Sequence, residues 1–219
     1  MDDTFRHKGL REQLCEEMRT KGITDEAVLQ ALKTVPRHFF VDPSLDSLAY
    51  EDRALPIACG QTISHPHTVA FQTQLLEVKR NDKILEIGTG SGYQACVLAA
   101  MGARVLTIER HNELYQKAQQ PIKRLKYFVR TFLGDGYQGL STSAPFDKIL
   151  ITCGAPIIPP NLLDQLKIGG IMVIPVGNEE YEMRRITKIS DSEIKEESFG
   201  NFSFVPMLEK VSGVKKFIV

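Results

Sequence analysis

Apolar positions in the first part of the chain recur at helical spacing. Leu10, Leu14 and Met18 fall at i, i+4 and i+8, one stripe of a helix within residues 5–35. Gly22 interrupts the pattern. Thr24-Asp25-Glu26 then offers an N-cap followed by acids in a first helical turn, where the helix dipole favours negative charge. Val28, Leu29 and Leu32 make the buried side of that second helix, and Pro36 ends it. The aromatic-rich "PRHFFVDP" reads as a connection.

From Asp82 the period shortens. Lys83-Ile84-Leu85-Glu86-Ile87 is an apolar run halted by Gly88, the form of a strand buried on both faces. Similar runs lie at residues 104–108, 128–132, 147–152 and 171–176, separated by helical patterns at 92–101 and 112–126. Pro159-Pro160-Asn161 opens a further short helix through Leu166, which Gly169-Gly170 closes. This alternation predicts an α/β domain built on a doubly wound, mostly parallel sheet. Beyond Gly177 the helical signal fades, and "YEMRRITKIS" and "NFSFVPMLEKV" read as added antiparallel strands. The expected organisation is one domain over 1–219: a helical N-terminal part ending in a loop (1–80), an α/β core (81–177) and C-terminal strands (178–219).

Composition changes this picture little. The 219 residues are 42% hydrophobic and 25% charged, which is ordinary for a globular chain. Lys and Arg total 27, as do Asp and Glu, so neither nucleic acid nor a membrane surface is an expected partner. No apolar stretch reaches the ~18 residues needed to span a bilayer. Met1-Asp2-Asp3-Thr4 is acidic, which speaks against a secretory signal. Cys15, Cys59, Cys96 and Cys153 are scattered without a C-x-x-C pair and read as reduced thiols in a cytoplasmic chain.

The candidate chemistry begins at Leu85-Glu86-Ile87-Gly88-Thr89-Gly90-Ser91-Gly92-Tyr93. A glycine-rich turn at the C-terminal end of the first parallel strand lets a ligand approach the backbone closely. Glu109 ends the second strand, 21 residues beyond Gly88, placed to accept hydrogen bonds from ribose hydroxyls. The G-x-G-x-G spacing is tighter than the dinucleotide pattern, and a carboxylate at Glu86 suits a cationic ligand better than a diphosphate. The E-x-G-x-G-x-G pattern resembles that of class I methyltransferases, whose cofactor S-adenosyl-L-methionine carries an ammonium and a sulfonium. A second turn, Gly134-Asp135-Gly136-Tyr137, follows the third strand and opens on the same sheet edge; Asp135 could accept from an adenine amino group.

Ahead of the glycine loop stands Gly60-Gln61-Thr62-Ile63-Ser64-His65-Pro66-His67, with two hydroxyls flanking Ile63 and two histidines flanking a proline. A nucleophilic serine is disfavoured. Neighbours in an extended segment point to opposite faces, so Ser64 and His65 would not pair, and the G-x-S-x-G elbow of hydrolases is absent. A metal site from Cys59, His65 and His67 is equally disfavoured, because Pro66 is expected to fix an extended geometry and no fourth ligand lies in range; no metal is expected. His7, His38 and His111 read as solvated or locally bonded. Tyr93 and Tyr137 read as core aromatics, and Lys123 to Lys126 with Arg130 as a solvated face.

Together, "VPRHFFVDP", "ALPIACGQTISHP", "LEIGTGSGYQACVLA", "LTIER", "GDGYQG", "APFDKILITCGAP", "LKIGGIMVIPVG" and "FVPM" cover nearly the whole chain. In order and spacing they resemble the protein-L-isoaspartate (D-aspartate) O-methyltransferase family. The resemblance implies a Rossmann-like class I methyltransferase with an N-terminal helical extension and C-terminal added strands. It implies methyl transfer from S-adenosyl-L-methionine, giving S-adenosyl-L-homocysteine, to the α-carboxylate of L-isoaspartyl residues in damaged proteins and peptides. The ester then closes to a succinimide, whose hydrolysis restores some normal linkage. Carried over by position, Ser64 is the catalytic serine, with Thr62 and Ile63 lining its pocket. Glu86, Gly88, Thr89, Gly90, Glu109, Asp135 and Gly136 fall at cofactor positions, and "FVPM" in a segment that helps form the substrate cleft. A monomer is the expected state. The chain departs from the family at His65, where glutamine or alanine is usual, at Ala58-Cys59, where glycine and a variable residue are usual, and at Cys153, where a small residue is common.

Methyl transfer to a carboxylate needs no general base, because the acceptor is already ionised at pH 7 with a pKa of about 4. Alignment against the methyl carbon is then the main requirement, which favours hydroxyl donors such as Thr62 and Ser64 over a histidine base. Three other readings remain open at this point. They are a class I methyltransferase with a different acceptor, a protein that holds S-adenosylmethionine without turnover, and, more distantly, a dinucleotide oxidoreductase.

Overall fold

The structure is a computed structural model and describes residues 2–213. Helix α1 (Phe5–Thr20) starts in a capping box: the His7 N–H donates to Thr4 Oγ1, and His7 Nδ1 accepts from the Thr4 N–H. Helix α2 (Glu26–Thr34) is capped by Asp25, which accepts from the Ala27 and Val28 N–H groups at 2.8 and 3.4 Å. Leu14 and Met18 of α1, with Val28, Leu29 and Leu32 of α2, are buried together against Tyr93, Cys96 and Val97. The N-terminal helices therefore cover one face of the α/β core.

Two-residue strands β1 (Leu55–Pro56) and β2 (Thr62–Ile63) then pair antiparallel. Helix α3 (Pro66–Leu76) follows at once, which corrects the expectation that Pro66 extends the chain. Proline at the first helical position has no N–H that the helix needs, and its φ is already helical. Val69, Ala70, Leu75 and Leu76 are the apolar positions this helix buries.

The core elements are β3 (Lys83–Ile87), α4 (Tyr93–Ala100), β4 (Arg104–Glu109), α5 (Asn112–Leu125), β5 (Val129–Leu133), β6 (Phe146–Ile151), α6 (Pro160–Asp164), β7 (Leu166–Gly177), β8 (Tyr181–Lys188) and β9 (Ile194–Phe202). Their sheet has seven strands in the order β5-β4-β3-β6-β7-β8-β9. The first five are parallel and the last two antiparallel. Strand order reverses between β3 and β6, where Ile87 pairs with Ile151. That switch point opens a crevice beyond the carboxyl ends of both strands.

Three other boundaries differ from the sequence reading. Strand β7 begins at Leu166, because its edge residues pair with β6 across the Gly169-Gly170 irregularity. The last strand is drawn from "IKEESFGNF", a solvent-facing edge rich in polar residues, so its apolar signal is weak. Residues 203–212 instead run across the strand ends, held by Gly154 N–H to Val205 O (2.8 Å), Met207 N–H to Gly154 O (2.7 Å) and Ser212 N–H to Arg110 O (2.8 Å). Of the two environments expected for them, solvated or locally bonded, His7 has the second through Thr4, and both His7 and His38 are buried and stacked, with ring centroids 3.8 Å apart. His38 Nδ1 lies 2.6 Å from the Tyr50 hydroxyl, while burial and the neighbouring His7 push its pKa down to about 4.

Candidate active site

The glycine loop fills the crevice at the switch point. Gly88 and Gly90 have φ of 95° and 52°, the region that favours glycine. A Cβ on Gly88 would stand 2.6 Å from Thr152 Oγ1, and one on Gly136 would stand 2.4 Å from Ile87 Cγ2. These glycines leave a cradle that any side chain would fill. It is the floor of a cavity of about 620 Å³, whose lining includes Gly88, Gly90, Glu109, Gly136, Thr152 and Met207.

The Glu109 carboxylate is 4% exposed and holds the loop from below. The Gly90 N–H donates to Oε2 and the His111 N–H to Oε1, each at 2.9 Å. Asp135 is tied in the same way: Tyr137 N–H donates to Oδ1 at 2.9 Å and Lys210 N–H to Oδ2 at 2.8 Å. Each of these oxygens keeps a second lone pair for a ligand hydroxyl or amino group. Thr89 is buried, and its Oγ1 lies 2.7 Å from Thr107 Oγ1, so only its backbone faces outward. Glu86 is fully buried, and neither of its oxygens has a hydrogen-bond partner. Burial pushes its pKa up to about 8, the Glu109 charge adding to the rise and Thr107 opposing it. Cys153 lines this cavity, and burial pushes its thiol up to about 12.

A second cleft of about 640 Å³ adjoins the first, lined by Thr62, Ser64, His65, Thr152, Phe204 and Val205 among others. Extended backbone through β2 alternates its side chains. Ile63 points into the core at 3% exposure, while Thr62 and Ser64 face the cleft. His65 is the one ionisable side chain among the described lining residues, and its Nδ1 lies 3.1 Å from the Asp52 carbonyl oxygen. The "FVPM" segment spans both spaces, with Phe204 on the cleft and Met207 on the cavity.

The structure thus brings Gly88, Gly90, Glu109 and Gly136 to one cavity and Thr62 and Ser64 to the adjoining cleft. It keeps the Glu86 and Thr89 side chains beneath the loop and sets Asp135 at the base of the strap formed by residues 203–212. The residue missed from sequence is Thr152. Nothing in "LITCGAP" marks it until strand pairing puts β6 beside β3. A further grouping, Asp3, His7 and His38, brings ligand-type atoms within 4.8 Å of one another. Both Asp3 oxygens are taken by the Arg11 guanidinium at 2.7 and 2.8 Å, and two stacked imidazoles direct their in-plane lone pairs along nearly parallel planes. That geometry does not converge on an ion.

A mostly parallel sheet with a glycine loop at the switch point and an acid closing the next strand is the arrangement shared with the protein-L-isoaspartate O-methyltransferases among solved structures, and the fold is that of the class I S-adenosylmethionine-dependent methyltransferases. The chain belongs to the protein-L-isoaspartate(D-aspartate) O-methyltransferase family, whose profile it matches over residues 9–212. It is similar to protein-L-isoaspartate O-methyltransferases of Flavobacterium johnsoniae (52% identical, 95% of this chain and 99% of the relative) and Christiangramia forsetii (51%, again 95% and 99%). Among solved structures, a Plasmodium falciparum protein described as a protein-L-isoaspartate O-methyltransferase in complex with S-adenosyl-L-homocysteine superposes with a TM-score of 0.79. It is 25% identical, with 92% of this chain and 98% of that one covered.

Proposed function

We propose that this chain methylates the α-carboxylate of L-isoaspartyl residues in damaged proteins and peptides, initiating their repair through a succinimide. The observation that carries this reading is the continuity of the two spaces. The glycine-floored cavity meets a cleft in which hydroxyls, and no acidic side chain among the described residues, face the acceptor. When bound, S-adenosyl-L-methionine supplies a methyl carbon activated by a sulfonium leaving group and leaves as S-adenosyl-L-homocysteine.

The protein's part is to bind and align. Gly88, Gly90 and Gly136 give the cofactor its approach to the backbone. Glu109 accepts from ribose hydroxyls and Asp135 from the adenine amino group, using the lone pairs their amide partners leave free. Glu86, beneath the loop, is the acid that a cation in the cavity would draw towards its charged form. Thr62 and Ser64 donate to the acceptor carboxylate, which is already ionised and needs no base. Ile63 fixes their direction from the core. Ser64 is the residue placed to act on the reacting carboxylate itself.

The four cysteines are free thiols, in keeping with a reducing, cytoplasmic compartment. Among the described residues, no helix is long and apolar enough to cross a membrane. The test is incubation with labelled S-adenosylmethionine and matched peptides carrying isoaspartate or aspartate. Methyl incorporation confined to the isoaspartyl peptide is the expected result. Equal labelling of both peptides, or of neither while the cofactor binds, would refute the assignment.

A further inference from the structure

A methyl group passing from the cofactor cavity to the acceptor cleft must cross where the two spaces meet. Three of the described residues line both: Thr62, Thr152 and Val205. Thr62 and Thr152 also line the small recess beside the glycine loop. Thr152 is the first residue after β6, and Gly88 the first after β3, so they face each other across the switch point. The Thr152 hydroxyl fills the space that a side chain at Gly88 would take.

The two threonines present different chemistry. The Thr152 hydroxyl has its single proton directed at the backbone, with Ile87 O at 2.9 Å and Gly88 O at 2.8 Å. A hydroxyl has one proton and two lone pairs, so an oxygen engaged in this way can offer a ligand only acceptor capacity. Thr62 opens on the cleft and keeps its proton available to a ligand. An acceptor-only oxygen repels a carboxylate and attracts positive charge. On the methyltransferase reading, the positive group to be accommodated at this junction is the cofactor's sulfonium with its methyl, whose C–H bonds are polarised.

We propose that Thr152 is a positioning residue that reads the charge of the cofactor. Its oxygen attracts the sulfonium methyl group by C–H···O and charge–dipole contact, and so favours the methyl donor over the neutral demethylated product. Thr62 and Ser64 orient the acceptor from the opposite side. The inference rests on the methyltransferase reading above, but its test needs no acceptor peptide.

Dissociation constants of S-adenosylmethionine and S-adenosylhomocysteine are measured by calorimetry for the wild type, Thr152→Val, Thr152→Ala and Thr152→Ser. For Thr152→Val and Thr152→Ala, affinity for S-adenosylmethionine is expected to fall by about 2- to 5-fold relative to that for S-adenosylhomocysteine. Thr152→Ser, which keeps the oxygen, is expected to retain the wild-type ratio. A merely structural hydroxyl, holding Ile87 and Gly88 in place, would weaken both ligands alike in the two oxygen-free variants. That outcome, or an unchanged ratio in both, overturns the proposal. Thermal melting identifies a variant that fails to fold, and Thr152→Ala, which adds no bulk beside Gly88, keeps the test open if valine is not accommodated. An unchanged ratio with normal isoaspartyl labelling fails the proposal and leaves the functional reading intact. A normal ratio shift without isoaspartyl labelling fails that reading alone.

Discussion

The cofactor cavity and the acceptor cleft share Thr62 and Thr152, yet they handle charge in opposite ways. Around and beneath the cavity stand three carboxyl groups: Glu109 and Asp135, each tied to two backbone amides, and Glu86, buried without a partner. The polar side chains lining the cleft are hydroxyls and one histidine, with no acid among the described residues. A cation is stabilised near carboxylates, and an anion near hydroxyl donors. The contrast teaches that this site brings a positively charged donor to a negatively charged acceptor without a base, with each half arranged for one partner.

Ser64→Ala tests the cleft most severely. A hydrogen bond to a charged group is worth about 1.5–3 kcal/mol, so turnover is expected to fall by about 10- to 100-fold. Calorimetric affinity for S-adenosylhomocysteine should stay within about twofold of wild type. Unchanged turnover would remove Ser64 from the acceptor half.

Glu86→Gln probes the cost of the acid under the loop. Its folded-state pKa, about 8, is above the ordinary value of 4.5. The folded protein therefore holds a proton there that the unfolded chain has lost between those values. The cost is absent below about pH 4.5, grows as pH rises and is complete above about pH 8. The ligand-free variant should thus gain on the order of 4 kcal/mol over wild type at pH 8.5 and little at pH 5. Denaturant unfolding at the two pH values gives the answer, and an equal difference at both would show that Glu86 does not titrate in this window.

Glu109→Gln sharpens the cavity side by keeping one carbonyl acceptor while removing the charge. Cofactor affinity is expected to fall by about 1–2 kcal/mol, with acceptor KM little changed. An unaltered dissociation constant would place ribose recognition elsewhere. The smallest effect concerns the turn between β1 and β2. Cys59 sits at φ 59°, ψ 25°, a left-handed conformation that costs a residue with a side chain about 1 kcal/mol. Cys59→Gly should recover roughly that in unfolding free energy, with turnover unchanged.

Much of the cavity was legible because it depends on local order. An apolar run, a glycine turn and an acid one strand later are contiguous signals, and they lead to β3, its loop and Glu109. The cleft was harder to read. The sequence signalled Thr62 and Ser64 by their alternation around Ile63, but Pro66 was expected to prolong an extended segment where it starts α3. Proline serves both conformations, and only the buried positions that follow decide between them. The strap over the strand ends escaped because a β-like composition in "NFSFVPM" was satisfied by short bridges to Gly154 rather than by a ladder. Thr152 and the Lys210 amide partner of Asp135 come from pairings across 64 and 75 residues, which no local pattern carries.

The division of labour between the halves is tested most directly by a paired binding measurement. Affinities for an isoaspartyl peptide and for S-adenosylhomocysteine are determined separately in Ser64→Ala and Glu109→Gln. The account predicts that Ser64→Ala weakens the peptide and spares the nucleoside, while Glu109→Gln does the reverse. Both ligands weakening together in either variant would contradict it.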